Sequence, residues 1–382
     1  MRLSQRLLSL KQTTMRGHFL PHGRLQDFID TLMESGYRCV GPKLRDGAIV
    51  YEPLAKVDEL PWGLCDRQRP GEYRVEAGQV SRYFAWAAGP QALKPLVFTP
   101  REVLWRAERQ HDGRIVFQTS AAEADKIAVI GVRACDLAAL RLQDQHFLEG
   151  PYADPFYATR RGKLLLVAVN CSHPADTCFC ASTGDGPHAI SGFDLALTEL
   201  DDGFVVHAGS DAGSEVADRL SLVSATRAQL KAERDQAAAS AASQKRRLPS
   251  HNLRNALFGN LEHPRWDDVA DRCLACGNCT NVCPTCFCHA QLDVPAVAAA
   301  DSEHVREWDS CFTQKHCHMH GYRVRPHIRQ RYRQWLTHKL GSWHDQYGRS
   351  GCVGCGRCIT WCPVGIDITV ETTAICEESL TC

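Results

Sequence analysis

CLACGNCTNVCP at residues 273–284 and CVGCGRCITWCP at residues 352–363 follow one pattern, C-x2-C-x2-C-x3-C-P. How these two runs are read decides the architecture of the whole C-terminal part. Thiolates at two-residue gaps let a short backbone loop wrap one face of an iron–sulfur cube, while the fourth cysteine leaves on a helix and points away from it. Gly277 and Gly356 permit the tight turns that this needs. Pro284 and Pro363 fix the direction in which the chain departs. Paired C-x2-C units also occur in structural zinc sites. Zinc explains neither four cysteines per run, nor the prolines, nor the duplication, so iron–sulfur chemistry is the preferred reading.

In two-cluster ferredoxins the last cysteine of each run serves the other cube. By that rule Cys273, Cys276, Cys279 and Cys362 hold one [4Fe–4S] cluster, and Cys352, Cys355, Cys358 and Cys283 hold the second. The link between the runs is long where a minimal ferredoxin has a short one. Within it, PHIRQRYRQWLTHKLG (326–341) opens on proline and ends on glycine, which predicts a helix. A mainly helical, ferredoxin-like dicluster domain is therefore expected over 251–382.

Outward from these runs, the 382 residues suffice for two or three domains. Lys plus Arg and Asp plus Glu number 44 each, so no net field favours nucleic acid or an anionic membrane. No apolar run approaches a membrane span. The opening MRLSQRLLSLKQTTMRG is basic, but its apolar stretch is too short and broken for a secretory signal, and Met15 is an alternative start. Of the 20 cysteines, only Cys39 and Cys65 fall in the first third. Most others sit at two- or three-residue gaps, as metal ligands do and disulfide frameworks do not. A reducing, cytoplasmic setting follows.

The fold class expected is α+β or α/β, with an N-terminal mixed α/β region ahead of the helical cluster domain. AIVYEPL, YRVEA and IVFQT make 17–120 a strand-rich region, with Pro61, Pro70 and Pro90 marking loops. KIAVIGV (126–132) and KLLLVAV (163–169) are short apolar runs of the kind buried on both faces of a parallel sheet. DLAALRLQDQHFL follows the first with helical spacing, so 121–225 reads as an α/β domain. The Ala-rich, charged stretch over 226–250 is expected to be a linker or an exposed helix.

Cys135 follows the first apolar run, and Cys171, Cys178 and Cys180 follow the second. Parallel strands bring their carboxyl ends to one crevice, where ligands of α/β proteins bind. These four thiols can thus form a third metal site, another [4Fe–4S] cluster or a zinc ion; the alternative is buried thiols packing as small hydrophobes. Cys286, Cys288, Cys311 and Cys317 carry no assigned role beyond packing beside the first cluster or tuning its potential. HCHMH (316–320) reads as a surface histidine cluster rather than a metal site. The cationic run from Arg323 to Lys339 reads as a solvated face or a dock for an acidic partner rather than for nucleic acid. Cys39, Cys65, Cys376 and Cys382 show no metal spacing. There is no GxGxxG, P-loop or nucleophile–base set, so no catalytic residue and no nicotinamide or flavin site is assigned.

GVRACDLAAL (131–140), VNCSHPADTCFC (169–180), GDGPHAISGFDLALTEL (184–200), CGNCTNVCPTCFC (276–288), REWDSCF (306–312) and CVGCGRC (352–358) occur together. In this combination the chain resembles the beta subunit of cytoplasmic sulfhydrogenases, which are nickel–iron hydrogenases. It is equally similar to the A subunit of anaerobic sulfite reductase. The resemblance runs from about Gly41 to Ile368. It implies an electron relay between an NAD(P)H-oxidising flavoprotein subunit and a hydrogenase, or sulfite reductase, subunit. The family pattern carries over to the eight cysteines of the two runs, and Cys135, Cys171, Cys178 and Cys180 also match family positions. HCHMHGYRVRP (316–326) departs from the Gly- and Phe-rich residues usual there, which puts a partner contact at that point in doubt. A rival reading is a subunit that reduces a disulfide or sulfur species directly at the cysteines of 286–317.

Overall fold

The computed structural model describes residues 17–377 apart from 92, 121–123, 251 and 296–300. The basic opening stretch with Met15, and Cys382, lie outside the described residues.

The two apolar runs form adjacent parallel strands, Ile127–Val132 and Leu164–Val169. Arg38–Arg45 lies parallel on one side of the pair and Leu195–Glu199 on the other. Antiparallel strands complete an eight-stranded sheet at both edges: Ala48–Pro53 at one, and Gly203–Ala208, His18–Pro21 and Val223–Ser224 at the other. Successive strand side chains point to opposite faces. Ala128, Ile130, Leu165 and Val167 accordingly join one core, and Ile127, Val129, Leu166 and Ala168 the other. Helix Leu25–Glu34 covers the first face with Leu25, Phe28, Ile29 and Leu32, spaced for one helical stripe. Helix Ala134–Leu148 covers the second with Leu137, Leu140 and Phe147. Strands from 17–120 and from 121–225 thus share one sheet, because residues far apart in sequence supply its parallel neighbours.

The C-terminal segment is helical around the cysteine runs, through Leu253–Gly259, Arg265–Arg272, Ile328–Thr337, Trp343–Tyr347 and Ile368–Glu377. The link between the runs departs from the helical expectation. His289–Pro295 and Ser302–Trp308 are antiparallel strands, and the second pairs with Arg101–Arg109, which pairs in turn with Ile115–Thr119. Arg306 fixes this sheet from inside, ion-paired with Glu102 at 3.1 Å and with Asp154. The sheet crosses between sequence-distant parts because neither hairpin alone has partners enough to be stable in water.

Helix Ile328–Thr337 lies where proline and glycine suggested. Gly341 does not end it: a π turn, His338–Ser342, carries the chain on into Trp343–Tyr347, which stops at the left-handed Gly348. Arg227–Ser243 is a helix, begun by a capping box in which Thr226 accepts from Gln229 N and Gln229 accepts from Thr226 N. Leu230 packs against Phe19, Leu200 and Val205, but the buried positions of the helix are polar. Glu233 accepts from Thr198 Oγ1 at 2.8 Å and pairs with His207 at 3.0 Å, and Ser240 Oγ donates to Cys171 O at 2.7 Å. A stretch with few large apolar residues is therefore packed against the sheet by hydrogen bonds.

Candidate metal centre

Each cysteine run makes a loop, then one turn of helix, Asn278–Asn281 or Arg357–Thr360. Gly277 (φ +78°) and Gly356 (φ +74°) stand at the two helix starts in the left-handed conformation that favours glycine. Asn278 Nδ2 donates to Trp361 O at 3.2 Å and joins the two motifs.

Cys273, Cys276, Cys279, Cys358 and Cys362 line one cavity, walled by Phe312, Tyr332, Trp335 and Ile368. Backbone amides aim at its sulfurs: Ala275 N lies 3.4 Å from Cys273 Sγ, and Ile366 N 3.3 Å from Cys362 Sγ. Burial, with neighbouring thiolates second, pushes Cys279 well above its ordinary value; burial also raises Cys273, opposed by the Ala275 amide. Such thiols ionise together only if a cation sits among them. The buried Tyr332 hydroxyl and Trp335 Nε1 line the same cavity and have no hydrogen-bond partner among the described residues. They are unpartnered donors on residues that wall a space ringed by sulfur, which fits a cube with acceptor sulfides. The residues present fit an iron–sulfur cluster.

Cys352, Cys355, Cys358 and Cys283 form a second electrostatic group. Cys283 raises the other three, after burial and alongside their mutual repulsion, and Cys352 is pushed up to about 12. Cys283 is the exception, held well below its usual range by the Cys286 thiol that donates to it, with Lys339 and Thr285 adding to the effect. Cys362 thus lines the cavity of the first run, and Cys283 acts on the second run's thiols as well as on Cys279. Cys358 and Cys279 are close enough to act on one another, which makes the two groups neighbours.

Cys135, Cys171, Cys178 and Cys180 do gather at the carboxyl ends of the parallel strands, all buried. Cys180 acts on Cys135 and Cys178, and Cys171 on Cys178 and Cys180. Gln244 Nε2 donates to Cys180 Sγ at 3.3 Å from the end of the polar helix. This group abuts the second cysteine run. A Cβ on Gly354 would meet Cys180 N at 2.5 Å, and one on Gly356 would meet Thr177 O at 2.5 Å. Phe179 N donates to Gly354 O at 2.8 Å. Arg357, inside the second run, forms a bidentate pair with Asp136 beside Cys135 at 2.6 and 3.0 Å, both side chains 1 % exposed. The three thiol groups are therefore neighbours: Cys355 acts on Cys135 and Cys180, and Cys279 acts on Cys358, while Cys276 is exposed.

Among the described residues, no three or more Cys, His, Asp or Glu side chains close on a point where a single ion would sit. Four ligands around a cube are disposed more widely than the tetrahedron of a zinc ion. Cys288 and Cys311 are in thiol–thiol hydrogen-bond contact beside these groups. Cys317 Sγ donates to Gln314 O and Arg325 O at 3.3 and 3.4 Å. His316 bonds Asp309, and His318–Met319 pairs with Tyr322–Arg323 on the surface. Cys39 is buried in the sheet core.

The cationic run is mostly engaged inside the fold. Arg329 and Arg333 pair with Glu262, Arg331 donates to Phe312 O, and Lys339 is buried. The expectation of a basic docking face gives way there. Sequence reasoning passed over Tyr332, Trp335 and Lys339 as site residues. The signal was present: spaced by three and then four, they share one helix stripe.

Comparison with known proteins agrees with this geometry. The 4Fe-4S dicluster domain family matches residues 272–366. Over 345 residues the chain is 31% identical to the sulfhydrogenase 2 subunit beta of Pyrococcus furiosus, covering 89% of this chain and 92% of that one. No solved structure matches the chain. Identity of that degree over nearly the full length of both proteins, with the dicluster domain in place, shows that the chain belongs to the sulfhydrogenase beta-subunit family.

Proposed function

We propose that this chain is the iron–sulfur relay subunit of an oxidoreductase complex, passing electrons between an NAD(P)H-linked flavoprotein subunit and a nickel–iron hydrogenase module. The observation that carries the reading is the adjacency of the thiol groups, with Cys362 in the cavity of the first run and Cys283 acting on the thiols of the second. Cubes bound there would accept and donate single electrons. The chain's own residues do the rest. Cys273, Cys276, Cys279 and Cys362 hold one cube, and Cys352, Cys355, Cys358 and Cys283 the other. Apolar walls from Phe312, Trp335 and Ile368 exclude water, and amide donors stabilise the thiolates. Cys135, Cys171, Cys178 and Cys180 hold a third cube, for which their gathering beside Cys355 speaks. No catalytic residue is assigned. No helix among the described residues is long and apolar enough to cross a membrane, and the setting proposed is cytoplasmic.

Anaerobic purification with its natural partners tests this. Iron and labile sulfide at about eight per chain fit two cubes, and about twelve fit three. A nickel subunit bound to the chain supports the hydrogenase reading, and a sirohaem subunit replaces it with the A subunit of an anaerobic sulfite reductase. Colourless protein, or zinc without sulfide, overturns both.

A further inference from the structure

We propose that the buried ammonium of Lys339 gives the cube at Cys352, Cys355, Cys358 and Cys283 a higher reduction potential than its neighbour, making it the electron well of the relay. Lys339 is 4% exposed, on the helical stripe that continues from Tyr332 and Trp335. Its Nζ lies 3.4 Å from Cys283 Sγ, 2.9 Å from Thr285 Oγ1 and 3.5 Å from Gly351 O. Thr285 Oγ1 also lies 3.2 Å from Cys283 Sγ and donates to Gly351 O at 2.7 Å, so it orients the ammonium toward the sulfur. No carboxylate pairs with Lys339 among the described residues. Its counter-charge is the thiolate group itself.

The other set has no cation in contact with a sulfur among the described residues. Tyr332 and Trp335 wall its cavity as neutral side chains. Arg331, also buried, acts on Cys273 without touching it, its guanidinium donating instead to the carbonyls of Phe312 and Pro326. Of the remaining buried cations, Arg357 is neutralised by Asp136, and Lys94 bonds the carbonyls of Thr280 and Asn281 at 3.3 and 2.9 Å. Each electron taken up makes a cube with its thiolates one charge more negative. A fixed cation in contact with one ligand, in a medium of low dielectric, favours that reduction at the near cube most. Burying an ammonium without a carboxylate is costly unless such a partner charge is present, which gives the residue a reason to be there.

The inference rests on the iron–sulfur reading, and one experiment separates the two. Full-length protein is purified anaerobically, its iron and sulfide counted, and its cubes titrated potentiometrically with electron paramagnetic resonance detection. Iron, sulfide and cube signals in the unaltered protein judge the reading. Lys339→Met, which keeps the stem and removes the charge, then judges the inference. The expected result is full iron content, with one cube's reduction equilibrium weakened at least tenfold, about 59 mV for one electron, and every other cube unmoved. No moved cube, or two or more moving together, overturns it. If Lys339→Met loses iron or does not fold, Thr285→Val removes the orienting hydroxyl and leaves the charge. A smaller shift in the same direction at the same cube supports the inference, and no shift overturns it.

Discussion

Gly354→Ala isolates the contact that joins the second cysteine run to the strand-end thiols. Gly354 has φ +63°, and its missing Cβ would fall 2.5 Å from Cys180 N and 2.6 Å from Cys180 Cα and Phe179 C. All three atoms are backbone, so no side chain can swing aside. Forcing an alanine into the left-handed region costs roughly 1–2 kcal/mol. The overpacking adds about 1–3 kcal/mol. Gly348 is the control: φ +72°, with nothing within 4 Å of its Cβ position, so Gly348→Ala carries the backbone cost alone. Thermal unfolding of the two variants at matched iron content should separate them, because each kcal/mol moves the midpoint by roughly 2–4 °C in a domain of 150–250 residues. Gly354→Ala should melt well below Gly348→Ala. In iron-free protein it should also expose Cys178 and Cys180 to alkylation. Equal midpoints would refute the close docking of the two thiol groups.

Asp136→Ala leaves Arg357 buried with only carbonyl partners and should destabilise the protein by about 3–5 kcal/mol in denaturant unfolding, whereas replacing both residues by apolar ones should recover much of the loss. Burial, with His289 second, pushes His146 down to about 4. The unfolded chain therefore binds the proton first, and stability should fall as pH drops from about 6.5 toward 4, a slope that His146→Gln removes in pH-dependent melts. Tyr332→Phe should leave iron-free protein within about 0.5 kcal/mol of the parent, because the hydroxyl has no partner among the described residues; in loaded protein it should lower one cube's potential, and a large loss of iron-free stability would argue that the hydroxyl is structural. Cys358→Ala should remove one cube's resonance signal and retain the other; two intact signals would refute the ligand assignment.

The cysteine spacing carried the dicluster domain because a cube's first ligands are local in sequence: loops of two residues encode the geometry themselves. The two apolar runs carried the parallel strands for a similar reason, since burial on both faces leaves no alternation to misread. Pairing across the chain was not legible. His289–Pro295 and Ser302–Trp308 are strands because Arg101–Arg109 receives them, and nothing within 284–311 names that partner. The helix Arg227–Ser243 reads as unanchored from sequence because hydrogen bonds of Glu233, Ser240 and Gln244, with Leu230 alone among large apolar side chains, hold it. Charge was misread along 323–339 for the complementary reason: a sequence gives the sign of Arg329 or Lys339 but not whether Glu262 or a thiolate faces it. What the chain determines by itself is the chemistry of short, contiguous ligand loops. Which thiol groups stand next to one another, and which buried cation touches which sulfur, is decided only when distant segments close into one core, because those contacts are set by three-dimensional packing and leave no periodic trace.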